Sequence, residues 1–168
     1  SDVAIAGWKV IAKVGDDTVN LSFKVVDGIV SFGSSGSKLA KVIKTTALEE
    51  AHHILPWAER IRLHEVIQDA AYEGFHMNSK VNGKALKKYT KLAGEGIHGN
   101  HPAYTDVVEN LLDKFKDKYP NFTPEQAKDF LENNLIPRLD NYIERAKTSD
   151  LNLNEFFKQV IKPELGII

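Results

Sequence analysis

The 168 residues are 42% hydrophobic and 27% charged with no low-complexity tract, the make-up of one ordinary globular domain or of one domain with a short extra lobe. Without cysteine, disulfide scaffolds, thiol nucleophiles and Cys-based zinc sites are excluded, so any metal site must use His, Asp, Glu or Asn. A net charge of −1 argues against a protein that coats nucleic acid with its whole surface, and no run of about eighteen apolar residues offers a membrane span.

The chain starts at Ser1-Asp2-Val3-Ala4 without a basic stretch leading into an apolar one, so no signal peptide is expected. A Ser start without Met suggests a piece cut from a longer polypeptide. The first 46 residues read as strands. Trp8, Val10, Ala12 and Val14 alternate within Ala6 to Val14, as do Val19, Leu21, Phe23 and Val25 within Val19 to Val26. Asp27-Gly28 is a hairpin turn leading into Ile29-Val30-Ser31-Phe32. Gly33-Ser34-Ser35-Gly36-Ser37 reads as a flexible break. Residues 1–46 are therefore expected to be a strand-rich segment or linker, and residues 47–168 the domain that carries the chemistry.

After His53 the period turns helical. One helix is predicted over Pro56 to Tyr72, with Trp57, Ile61, His64, Ile67 and Ala71 near one face. Tyr104, Val107, Val108, Leu111, Leu112 and Phe115 form an apolar stripe of helical period and are read as core. Thr123-Pro124-Glu125-Gln126 is a capping box opening another helix, which Pro137 should kink or end, with Leu139, Tyr142, Ile143 and Ala146 continuing the apolar face. A last helix spans about Asn154 to Ile161.

Against this background two histidines stand side by side in Ala51-His52-His53-Ile54-Leu55-Pro56. Their pKa near neutrality lets one ligate a metal while the other takes a proton. Downstream come Asn82-Gly83, read as a turn, and His98-Gly99-Asn100-His101-Pro102-Ala103-Tyr104. His98 and His101, three apart, would share one face of a first helical turn and could chelate one ion. The amide of Asn82 could bridge backbone groups across a loop and hold the first histidine. Between Glu73 and Glu95 there is no acid, but Lys80, Lys84, Lys87, Lys88 and Lys91 fall there. That strip could give countercharge to a phosphate backbone, or be an ordinary solvated face. His64 and His76 read as structural, and His64-Glu65 lacks the second histidine of a zincin motif.

Taken together, Ala51-His52-His53-Ile54-Leu55-Pro56, Asn78-Ser79, Asn82-Gly83 with Leu86, and His101-Pro102-Ala103-Tyr104 resemble the AHH family of HNH-type nucleases over roughly residues 47 to 118. The resemblance implies an α+β fold: a ββα-metal (HNH-like) core with N-terminal β-strands and a mostly helical C-terminal half. It implies catalytic roles for His53 as general base, His52 and Asn82. It also implies one divalent ion (Mg²⁺, Zn²⁺, Mn²⁺ or Ni²⁺) on His52, His101 and His98, although His98 stands three positions before His101 where relatives often have four. The lysines at 80, 84, 87, 88 and 91 would bind nucleic acid. Members of the family occur as C-terminal toxin modules of larger bacterial effectors. The partners so implied are DNA or RNA, a parent polypeptide and an immunity protein, with no membrane, and the place of action is the cytoplasm of a target bacterium. The alternative from another class is a non-catalytic module whose four histidines clamp a structural zinc ion.

Overall fold

The computed structural model describes residues 5–88 and 100–168. Three antiparallel strands open it, β1 (Ile5–Val14), β2 (Asp17–Val26) and β3 (Ile29–Ser31), in the order β1-β2-β3. The alternation seen in the sequence decides which face is covered: Leu21, Phe23 and Val30 are buried, while Ser22, Lys24 and Ser31 are exposed. Asp27 and Gly28 both take positive φ, 52° and 77°, the demand of a tight hairpin between β2 and β3.

Beyond the sheet, the expectation of strand and flexible break over residues 33–46 is corrected. Helix α1 (Gly36–Ile43) forms there and buries Leu39 and Val42. Its Gly-Ser-rich approach and eight-residue length hide its period. Strand β4 (Glu49–His53) then pairs antiparallel with β5 (Gly83–Lys87), His53 opposite Gly83 and His52 opposite Lys84.

The excursion between β4 and β5 holds α2 (Glu59–Arg62), α3 (Glu65–Ala71) and a 3-10 turn at Lys80–Asn82. The single helix predicted over Pro56 to Tyr72 is thus divided. His64 leaves helical dihedrals at ψ 139°, and its Nδ1 accepts the N–H of Val66 at 3.2 Å, so it caps α3 afresh. Asn82-Gly83 is likewise not a turn: Asn82 ends the 3-10 segment and Gly83 begins β5 with extended dihedrals. Glycine is needed there for a different reason. A Cβ on Gly83 would lie 2.7 Å from Ile43 and 2.8 Å from Leu39, so its absence lets α1 rest on β5.

The C-terminal half is helical. Helix α4 (Pro102–Lys118) buries the stripe from Tyr104 to Leu112, and α5 (Pro124–Phe130) starts at a capping box in which both reciprocal bonds of Thr123 and Gln126 are present. Pro137 does not end the helix. A π turn at Leu131–Leu135 widens it just before the proline, and α6 (Ile136–Lys147) continues. The same device recurs where α7 (Leu153–Phe156) passes through a π turn at Phe157–Ile161 into α8 (Lys162–Leu165), with Pro163 following. Proline lacks an N–H and its ring crowds the carbonyl four residues back, so a widened turn accommodates both. No helix among the described residues is long and apolar enough to cross a membrane.

One hydrophobic core runs through these parts. Phe23, Val30 and Phe32 from the N-terminal segment share it with Leu55, Ile61, Leu86, Tyr104, Leu112, Leu139 and Phe157.

Candidate active site

Neighbours on a regular strand point to opposite faces, yet both His52 and His53 line one cleft of about 460 Å³ together with His101, Trp57, Arg60 and Thr105. The reason is position: His53 is the last residue of β4, and the chain turns away at Ile54.

His52 is buried, 1% exposed, with the ring of His101 at 5.1 Å and that of Tyr104 at 4.9 Å, both nearly perpendicular to it. His101 is the N-cap of α4, held just ahead of Pro102 with non-helical dihedrals. A shared helical face therefore does not orient His101, contrary to the spacing argument made for it and His98. His98 itself lies outside the described residues, as does Lys91. Tyr104 is core, as expected, but it is also a strut of the site. Its hydroxyl donates to the carbonyl of Ile54 at 2.6 Å, directly after the histidine pair, and burial followed by the nearby Asp140 carboxylate pushes its pKa well above the usual value.

His53 is half-buried and sits 5.4 Å from the ring of Trp57, a residue placed in the loop before α2 and not on a helix. Its Nε2 lies 2.8 Å from Oδ1 of Asn78. The other end of that amide, Nδ2, donates to the carbonyl of Ser34 at 3.1 Å, which settles which way Asn78 faces. A carbonyl oxygen only accepts, so Nε2 of His53 carries a hydrogen, and in the neutral ring the lone pair falls on Nδ1. Behind Asn78 stands His76, 1% exposed, whose Nδ1 accepts the Asn78 N–H at 2.9 Å while Nε2 donates to the carbonyl of Ser22 at 2.9 Å. Burial pushes the pKa of His76 down to about 4, with a smaller opposing effect from Ser22.

Asn82 is fully buried. Its Oδ1 accepts the Leu55 N–H at 2.7 Å, its Nδ2 donates to the carbonyls of Leu55 and Met77 at 3.2 and 2.9 Å, and its own carbonyl accepts the Ile54 N–H at 2.9 Å. The amide thus ties the segment after His53 to the segment before Asn78. Asn82, expected among the catalytic residues, is 0% exposed and spends its amide on the backbone beside the histidine pair.

Among the described residues, the lysines of the strip do not form one surface. Lys84 is drawn into ion pairs with Asp140 at 2.5 Å and Glu144 at 2.6 Å, its side chain only 16% exposed. Burial disfavours its charge, but the bonds and charges of those two acids outweigh this and hold its pKa above the ordinary lysine value. Lys88 lies 3.4 Å from Glu50, while Lys80 and Lys87 are exposed. Lys80 is joined by Lys13 and Lys44 around a separate pocket of about 360 Å³ whose other lining residues are apolar or glycine. Sequence spacing gave no hint of that company, nor of Arg60 at the cleft, whose guanidinium is held by Asp106 at 2.7 Å and Glu109 at 3.4 Å.

His52 and His101 supply two imidazole donors to one cleft, a set that suits a divalent ion of borderline softness such as Zn²⁺. Among the described residues no cluster of three or more His, Asp or Glu side chains joins them. Asn78 is the residue whose role the motifs did not reveal, since only the fold brings it to a histidine 25 positions earlier.

A family model described as a nuclease family of the HNH/ENDO VII superfamily with conserved AHH matches residues 35–136. Neither the curated proteins nor the solved structures contain a match. The match spans well over half of the chain and contains the Ala51-His52-His53 triplet at the end of β4, Asn82 and His101. The chain belongs to the AHH family of nucleases, and its mixed α/β architecture of small sheets and helices is consistent with an α+β nuclease fold.

Proposed function

We propose that the protein is a metal-dependent endonuclease that hydrolyses DNA, with His53 as the general base and His52 and His101 holding one divalent ion. The observation that carries this reading is the convergence of the three imidazoles on one cleft, with one of them, His53, held by an amide that leaves the lone pair on Nδ1. In this reading β4, β5 and α4 are the ββα-metal core, and His98 is the third ligand.

Hydrolysis requires a water proton to go to a base while its oxygen bonds to phosphorus and the ester oxygen leaves. Nδ1 of His53 would take that proton, its ring kept in orientation by Asn78 and Trp57. A bound divalent ion would supply the positive charge that stabilises the phosphate as negative charge builds on it. Arg60 at the cleft, whose side chain stays 39% exposed beside its two acids, and Lys80 with Lys13, Lys44 and the exposed Lys87, would meet phosphates without reading bases. Lys84, committed to Asp140 and Glu144, takes no part. Delivery as the toxin module of a larger effector, action in the cytoplasm of a target bacterium and neutralisation by an immunity protein belong to the same proposal.

Plasmid DNA and a structured RNA should be incubated in parallel with Mg²⁺, Mn²⁺, Zn²⁺ or Ni²⁺, with and without chelator. DNA cleavage abolished by chelator is the expected result. His53→Ala should lower the rate by about a hundredfold or more with the fold intact. Intact DNA and RNA under every metal would sink the nuclease reading, and cleavage of RNA alone would move it to an RNase. Unfolding of the wild type on chelation would instead favour a structural zinc clamp.

A further inference from the structure

The three-stranded sheet precedes the stretch matched by the family, which begins at residue 35. Even so, a continuous line of hydrogen bonds runs from it to the cleft. The Ser22 carbonyl on β2 takes the Nε2 hydrogen of His76, so Nδ1 of His76 is free of hydrogen and accepts the Asn78 N–H. Asn78 is thereby fixed at its backbone, and the Ser34 carbonyl fixes its amide, so that Oδ1 faces Nε2 of His53. His76 thus holds Asn78 in place through its backbone, and the oriented Asn78 oxygen in turn selects the hydrogen-bearing nitrogen of His53. His76 and Asn78 are each 1% exposed, and the rings of Phe23 and Phe32 stand edge-on to His76 at 4.7 and 5.3 Å. Gln68 of α3 fastens the sheet in turn, bonding both the N–H and the carbonyl of Val30, at 2.7 and 3.0 Å.

We propose that the N-terminal sheet is a working part of the nuclease: through Ser22, His76 and Asn78 it sets the tautomer and orientation of His53, with His76 and Asn78 as positioning residues for the base. This rests on His53 being the base. Both nitrogens of His76 must find partners in so dry a place, and the partner taken by Nδ1 is the backbone of the residue that faces His53. The chemistry resembles that of any imidazole base whose far nitrogen is held by an oriented acceptor, where the wrong tautomer is costly.

The test uses the full chain. Imidazole ¹⁵N spectra of the metal-free protein report which ring nitrogen of each histidine bears hydrogen, independently of activity. The wild type should show the Nε2–H form for His53 and for His76. In His76→Leu and in Asn78→Ala, His53 should become a mixture of both forms. With metal, kcat should fall by about tenfold to a hundredfold while KM holds, because the base is misplaced and phosphate contacts are not. His76→Gln, whose amide can still donate to the Ser22 carbonyl, should recover part of the loss. Should His76→Leu fail to fold, Phe23→Leu loosens the seat of His76 from the sheet side and should shift the His53 signature in the same direction. A folded His76→Leu protein with wild-type kcat and an unchanged His53 tautomer overturns the proposal. If the wild type cuts neither DNA nor RNA but the tautomer still follows His76, the nuclease reading fails and the hydrogen-bonded line stands.

Discussion

The two adjacent histidines are held by opposite halves of the molecule. His52 is held from the C-terminal side, where Tyr104 and His101 enclose its ring and Phe157 backs Tyr104 at 4.5 Å. The strand partner of His52, Lys84, is pinned to α6 by Asp140 and Glu144. His53 is held from the N-terminal side, by Asn78, His76 and the sheet that carries Ser22. The first support is a packed aromatic wall that can fix an atom in space but has no need to move a hydrogen. The second is a directional chain of donors and acceptors, which specifies a protonation state. Two side chains of identical chemistry thus acquire different capacities from what each one faces.

The strongest way to break this arrangement is to remove the residue common to both supports. Asn82→Ala strands the Leu55 N–H and the carbonyls of Leu55 and Met77 in a dry interior, so a loss of about 3 kcal/mol or more is expected in urea unfolding, together with most of the activity. The N-terminal support can be weakened by acid, and the His76→Leu variant isolates its share. His76 has a folded pKa of about 4 against 6.5 for an ordinary histidine, so the unfolded chain binds the extra proton first. Its contribution is complete above pH 6.5 and is lost progressively as the pH falls from about 6.5 to about 4, a change of about 3 kcal/mol in all. Urea unfolding at pH 7, 5.5 and 4 should show that slope in the wild type and a shallower one in His76→Leu; equal slopes would mean that His76 is not held neutral. The C-terminal support is probed by Tyr104→Phe, which deletes the bond to the Ile54 carbonyl and should cost about 1–2 kcal/mol. In that variant the His53 tautomer should stay as in the wild type, and a change there would show that the two supports are not separate. The smallest effect concerns nucleic-acid affinity. Lys80→Ala should reduce the slope of log affinity against log salt by about one unit, while Lys84→Met leaves it unchanged because that ammonium is already neutralised by protein carboxylates.

What could be seen in the sequence was whatever repeats locally. The alternation of β1 and β2, the stripe of α4 and the capping box at Thr123 are short-range patterns, and each element stands where its pattern put it. The histidine pair and His101 stood out for the same reason, as compact motifs. Features that depend on distant partners were invisible. Lys84 looked like one more surface lysine because its acids lie 56 and 60 positions further on. Asn82-Gly83 looked like a turn because that dipeptide favours one, when the asparagine serves as a clamp and the glycine as clearance for α1. The division at His64 turns on a side-chain cap that competes with an otherwise helical period.

That same Asn82-Gly83 pair bears on how the protein ages. An asparagine followed by glycine is chemically fragile, since the glycine nitrogen can attack the side-chain amide carbon and release ammonia through a cyclic imide. Here both reacting groups are occupied: the amide is bonded at its oxygen and its nitrogen, and the Gly83 N–H is bonded to the Lys80 carbonyl. Folding therefore shields from spontaneous deamidation the one residue whose conversion to a carboxylate would place a charge in the clamp. Chains that lose ammonia while unfolded would be unable to rebuild the site, so the lifetime of the activity on storage is tied to the fraction of molecules unfolded at any moment.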